Sequence, residues 1–209
     1  MTWYNLSGMV VRKPIFASKG NLNACLERIA YGVAFRNALM GGQEENLPLR
    51  RPLLDAVALF EHLQLGYALV GGVAAMYYGR QRFTEDVDFA VVPGHMEVLA
   101  ANGTIMKEHH FDPGCTFKLY HDSGIDVDIW KDEFSAEIIS RAREADLAGQ
   151  RVRIAEPHDL VAMKIRAGRV QDDYDITQIL RGTPIDDAIV QQRITPEQYA
   201  RYLELKQRN

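Results

Sequence analysis

Tyr67 to Val92 reads YALVGGVAAMYYGRQRFTEDVDFAVV, and this stretch decides the fold. Tyr67–Val70 is an apolar run of strand length. Gly71-Gly72 breaks it, and Val73–Tyr78 has the composition of a short helix. Asp86–Val92 then alternates acidic and apolar residues until Pro93-Gly94 stops it, the period-two pattern of a strand. A strand, a diglycine turn, a helix and a second strand make a compact unit of mixed α and β structure.

Working outward, His95–Ala101 predicts a helix. Cys115–Tyr120 and Ile125–Trp130 flank His121-Asp122-Ser123-Gly124, a turn sequence, and so predict a hairpin. Phe134–Ala145 is amphipathic at helical spacing, and Arg151–Ile154 predicts a short last strand. From Glu156 the chain reads as helical. Pro157 suits a first turn, Leu160, Met163, Lys164 and Ala167 follow at helical steps, and Gly168 interrupts. Asp172–Leu180 continues the helical pattern, and Thr195-Pro196-Glu197 opens a final helix. On the other side, residues 1–20 show no period and predict an irregular arm. Asn21–Met40 predicts a helix with Leu22, Cys25, Leu26, Ile29, Ala30 and Val33 on one face. Pro52 opens another helix, running to about Gln64.

The bulk numbers set the class. The chain has 209 residues, 47% hydrophobic and 25% charged, the balance of a soluble globular protein. Its net charge of −4 gives no overall basic field for nucleic acid. Met1 to Arg50 holds six Lys/Arg against three Asp/Glu, so the acid excess lies in the rest. Cys25 and Cys115 sit in no metal-ligand spacing and read as free thiols of a reducing compartment. No apolar run reaches membrane-spanning length, and the N-terminus lacks the pattern of a signal peptide. The expected setting is the cytoplasm, with no membrane partner.

Three features carry chemistry. Asp86 and Asp88 stand two apart on a strand, so they share a face, roughly 7 Å apart along the backbone. Two carboxylates there repel each other and need a cation, a proton or a basic partner; Arg80 and Arg82 are the neighbouring partners in the plain structural reading. Gly71-Gly72 at a strand-to-helix turn lets backbone N–H groups approach an anion. In Gly124-Ile125-Asp126-Val127-Asp128-Ile129-Trp130, Asp126 and Asp128 again share a face. Three carboxylates from two neighbouring strands hold magnesium ions about 4 Å apart, with Asp128 favoured over Asp126 as the third. Phosphate-binding glycines followed by cation-binding acids point to an enzyme of nucleoside triphosphates. His109-His110 and His121 lack the spacing of a transition-metal site. No Walker lysine loop, Gly-x-Ser-x-Gly elbow or dinucleotide fingerprint occurs.

Gly71-Gly72, thirteen residues, Asp86-Val87-Asp88-Phe89 and a later strand acid together resemble the DNA polymerase β-like nucleotidyltransferase superfamily. Gly79-x-x-Arg82-x-Thr84-x-Asp86 resembles its minimal bacterial members, the AbiEii-type toxins. So do Pro157–Lys164, Ala167-Gly168-Arg169 and Asp172-x-x-Asp175-Ile176. The resemblance spans about residues 55–182. It implies an α+β fold, with a small mixed-sheet core over 52–155 and a helical C-terminal region over 156–209. Residues 1–51 form an N-terminal extension outside the resemblance. It implies Asp86, Asp88 and Asp128 as catalytic metal ligands for two Mg2+ ions. Gly71, Gly72, Arg82, Thr84 and Lys164 would bind the nucleotide. Asp172 and Asp175 read rather as capping or ion-pairing residues. The expected reaction moves NMP from an NTP to a hydroxyl acceptor: RNA (a tRNA included), protein or a small molecule. A toxin–antitoxin or defence role follows, with a cognate antitoxin or a second copy bound through residues 1–51. Two competing readings are an inactive binding protein of the same fold and a metal-dependent phosphodiesterase.

Overall fold

The structure, a computed structural model, describes residues 3–6, 9–12, 49–79, 84, 86–95, 98–99, 106–111, 114–119, 121, 123, 125, 127–131, 133–147 and 149–208. Strands β1 (Trp3–Leu6) and β2 (Met9–Arg12) pair antiparallel as a separate two-stranded sheet. That replaces part of the irregular arm expected over residues 1–20. The helix expected over Asn21–Met40 lies outside the described residues.

The core begins with α1 (Arg50–His62), which carries Pro52 in its first turn, where a missing N–H costs nothing. Strand β3 (Tyr67–Val70) follows, then α2 (Gly71–Tyr77) and β4 (Val87–Val91). The helix starts on the glycines themselves rather than after them. Next come β5 (Met106–Phe111), β6 (Gly114–Leu119), β7 (Val127–Lys131) and α3 (Ser135–Arg141). Strands β8 (Arg143–Leu147) and β9 (Gln150–Ile154) complete one seven-stranded sheet of order β5-β6-β7-β4-β3-β9-β8. The β4–β7 and β3–β9 pairs are parallel and the other four are antiparallel. The sheet is therefore mixed, and the fold is α+β as expected.

Every residue of β3 and β4 is buried. Phe60 of α1 lies over one face, its ring centroid 5.3 Å from that of Tyr67 and 5.0 Å, edge-on, from that of Phe89. Burying a side chain of this size contributes about 1.5–3 kcal/mol, which explains why the apolar residues of the Asp86–Val92 pattern turn inward and leave the acids on the other face.

Two expectations are corrected here. The helix read over Phe134–Ala145 stops at Arg141: Ala142 is extended (ψ 139°) and Arg143–Leu147 pairs with β9. Arg143 to Leu147 has fair helical propensity, but hairpin pairing and the burial of Ala145 and Leu147 outweigh it. Strand β5 was not foreseen either, because Lys107-Glu108-His109-His110 lacks strand composition; it stands at the sheet edge, where charged residues are usual.

The C-terminal part consists of α4 (Pro157–Ala167), α5 (Val170–Gly182), α6 (Asp187–Arg193) and α7 (Pro196–Gln207). Gly168 closes α4 in the left-handed conformation, and Thr195 and Gln198 cap α7 reciprocally. Helix α6 lies within the stretch read as helical from Glu156 but was not singled out there. The α5 end meets the α2 end backbone to backbone: a Cβ on Gly182 would lie 2.4 Å from the Tyr78 carbonyl oxygen. No helix among the described residues is long and apolar enough to cross a membrane.

Candidate active site

The acids meet because of strand order. Parallel pairing of β4 with β7 sets Asp88 directly beside Asp128, and antiparallel pairing sets Val70 beside Asp88 and Lys118 beside Asp128. Cross-strand partners share a face, so Val70, Asp88, Asp128 and Lys118 form one row across four strands. Asp86 precedes β4 and is held by Thr84, whose hydroxyl donates to Oδ1 at 2.7 Å. One carboxylate oxygen each from Asp86, Asp88 and Asp128 lies within 4.8 Å of the others. These are the residues predicted as metal ligands. Asp126 and Arg82 lie outside the described residues.

Asp88 is almost fully enclosed. Its Oδ2 accepts from the Gly72 N–H at 3.3 Å, and its Oδ1 from the Trp130 indole N–H at 2.9 Å. Gly71 makes the enclosure possible: its φ is +63°, and a Cβ there would lie 1.9 Å from Oδ2. Burial, then the charges of Asp86 and Asp128, outweigh the two donors and push the Asp88 carboxyl up to about 7. The Gly72 N–H is thus taken by the chain's own Asp88 side chain.

Lys118 brings its ammonium to 2.9 Å from Asp128 Oδ1, an ion pair by distance without the alignment of a hydrogen bond. Trp130 and Lys118 both escaped the sequence reading. Trp130 carried a signal, since it stands two residues beyond Asp128 and so on the same face. Lys118 carried none before the β6–β7 register was known.

Lys164 is buried, and its Nζ donates to Asp175 at 2.7 Å and reaches Asp172 at 3.5 Å. Asp172 also takes Arg169 Nε at 2.7 Å and the Arg169 backbone N–H at 3.2 Å, which caps α5. Burial raises the Asp172 carboxyl, but these bonds and the Lys164 charge hold it below the usual carboxylate range. Lys164 therefore faces two carboxylates inside the fold. The charges of Asp172, Asp88 and Asp175 act on the Arg169 guanidinium.

The donor set fits a hard divalent ion. It consists of carboxylate oxygens only, on three side chains that are buried or half-buried and carry more negative charge than one lysine offsets.

No protein-family profile and no curated relative matches the chain. Among solved structures it is similar to the lincosamide antibiotic adenylyltransferase LnuA (18% identity, TM-score 0.48, 64% of this chain and 98% of that one). It is also similar to an antigenic nucleotidyltransferase-like protein from Paracoccidioides brasiliensis (19%, 0.46, 73% and 84%). A third is the antibiotic-resistance factor ANT(2'')-Ia (14%, 0.48, 73% and 91%).

Proposed function

We propose that the chain is a metal-dependent nucleotidyltransferase that moves NMP from an NTP to a hydroxyl acceptor. The observation that carries this reading is the meeting of Asp86, Asp88 and Asp128 within 4.8 Å beside the Gly71 turn. Among the described residues, three carboxylates share one lysine, and the oxygen-only donor set is of the kind that suits magnesium on a triphosphate. In the reaction, the acceptor oxygen attacks the α-phosphorus in line. The new P–O bond forms as the bond to the β-phosphate oxygen breaks, and pyrophosphate leaves with the electron pair. One of Asp88 and Asp128 receives the hydroxyl proton. Asp86, Asp88 and Asp128 would hold a divalent ion, which when bound would offset phosphate charge and acidify the acceptor hydroxyl. Gly71, Gly72, Thr84, Arg82 and Lys164 are assigned to the nucleotide by the resemblance. Thr84 acts through Asp86, and Lys164 through Asp172 and Arg169.

The same proposal includes a cytoplasmic setting and a core of residues 52–155 followed by the helical region 156–209. Residues 1–51 bind an antitoxin-like partner or a second copy. The acceptor is RNA, protein or a small molecule. Incubation with α-labelled NTPs, Mg2+ and each acceptor class tests the activity: label moves to one class, and D86N and D88N abolish transfer. Retained transfer in either variant overturns the assignment. A second reading, a non-catalytic fold that binds partners, is favoured by the Lys118–Asp128 ion pair, which offsets part of the charge without a metal. Absence of NTP binding at millimolar concentration selects it.

A further inference from the structure

We propose that Arg169, rather than Lys164, is the cation of the C-terminal helices that contacts the triphosphate, and that Lys164 and Asp172 are positioning residues for it. This rests on the nucleotidyltransferase reading of the acid cluster and names a further residue of the same site.

The family resemblance assigns Lys164 to the nucleotide, and its surroundings argue against that contact. Lys164 is only 7% exposed, and its Nζ donates to Asp175 at 2.7 Å and lies 3.5 Å from Asp172. Both acids are themselves buried. An ammonium drawn from this cluster to a phosphate would leave buried carboxylates without their cation, which is costly. Asp172 passes the positive charge outward instead. Its carboxylate takes Arg169 Nε at 2.7 Å and Nη2 at 3.2 Å, while the Arg169 side chain stays 57% exposed. Asp175, Lys164, Asp172 and Arg169 thus form a chain of alternating charge with only its last member at the surface.

Two observations direct that last member toward the acids. Helix α4 packs against α2, whose first turn meets Asp88, and Arg169 follows α4 after Gly168 alone. The charge of Asp88 also acts on the Arg169 guanidinium, after that of Asp172. The shape of the group suits a double duty. Asp172 takes one edge of the planar fork, Nε with Nη2, and the Nη1–Nη2 edge is a second donor pair for another anion. A lysine ammonium has no such edges. Because a buried carboxylate already fixes the guanidinium, little side-chain freedom is left to lose when a phosphate binds.

Titration with the fluorescent nucleotide N-methylanthraniloyl-ATP and Mg2+ tests this, with tripolyphosphate as competitor. R169Q is expected to weaken both by about ten- to a hundredfold, the range of a lost hydrogen bond between charged groups. An acyl-phosphate derivative of ATP, which acylates a lysine lying against the phosphates, is expected to leave Lys164 unlabelled in peptide mass spectra. Unchanged affinity in folded R169Q, or labelling of Lys164 that ATP prevents, overturns the role of Arg169 and leaves the active-site reading standing. No nucleotide binding by wild type overturns both. Should R169Q fail to fold, phenylglyoxal modification of wild type decides: Mg-ATP is expected to protect Arg169, and modification at an undiminished rate overturns the proposal.

Discussion

Two clusters of carboxylates in this molecule have opposite characters. At Lys164, two buried aspartates, Asp172 and Asp175, meet two cations, Lys164 and Arg169, and the charges cancel. At the sheet, among the described residues, three aspartates meet one lysine. In the first cluster the bonds hold Asp172 below its ordinary range despite burial, and in the second burial and repulsion lift Asp88 to about 7. A cluster that brings its own cations ties helices together. One with fewer cations than acids is the kind that the proposed function assigns to a metal ion. Carboxylate count alone does not separate the two, but charge balance does.

The largest effect that would break this comparison is on stability. Asp175→Ala leaves Lys164 buried with one less partner and is expected to cost about 3–5 kcal/mol, read by urea unfolding. Asp88→Asn removes a repelled charge and misplaces one hydrogen-bond donor, so it should stay within about 1 kcal/mol of wild type. Equal losses in the two variants would erase the distinction.

The second effect is on pH. The folded chain keeps a proton on Asp88 that the unfolded chain loses above about pH 4. Its contribution to stability is full below that value and is lost as pH rises to about 7. His158, lowered by burial and then by the Arg193 charge, acts in the opposite sense, so wild type must be compared with D88N. The metal-free melting temperature of wild type relative to D88N should fall between about pH 4 and about pH 7 and level off above that. Saturating Mn2+ should remove that fall, because the ion replaces the proton. A flat difference without metal would refute the charge deficit at Asp88.

The smallest effect concerns Trp130. Trp130→Phe keeps an aromatic ring, though a smaller one, and removes the N–H from which Asp88 Oδ1 accepts a hydrogen bond. The carboxyl should become still harder to ionise, and Mn2+ affinity at pH 7 should drop by roughly tenfold, the equivalent of about 1.4 kcal/mol for a hydrogen bond to a charged group. Calorimetric titration measures it, and unchanged affinity would make Trp130 a packing residue only.

Much of the site was legible in the chain. Period-two alternation placed Asp86 with Asp88 and Asp126 with Asp128, because side-chain direction along a strand is a local property. It did not choose between Asp126 and Asp128, and Asp128 is the described one of the two that meets Asp86 and Asp88. The Lys164 region was legible in part: Asp172 and Asp175 were read as structural, while Lys164 was read toward the nucleotide and is found facing them. Direction into or out of a fold depends on what packs opposite, and spacing does not contain that. Strands β5 and β8 were lost for a related reason, since their residues pair only because a neighbouring strand is present.

By itself, the sequence determined the strand–diglycine–strand unit, the pairing of Asp86 with Asp88, and the helical C-terminal region. These follow from steric preference and periodicity over a few residues. Tertiary structure alone decided that β4 and β7 lie parallel and in register, that Gly71 yields its space to Asp88, and that Lys118 reaches the third acid. Those outcomes depend on pairing between segments tens of residues apart, where burial across the whole sheet, rather than any local preference, selects the register.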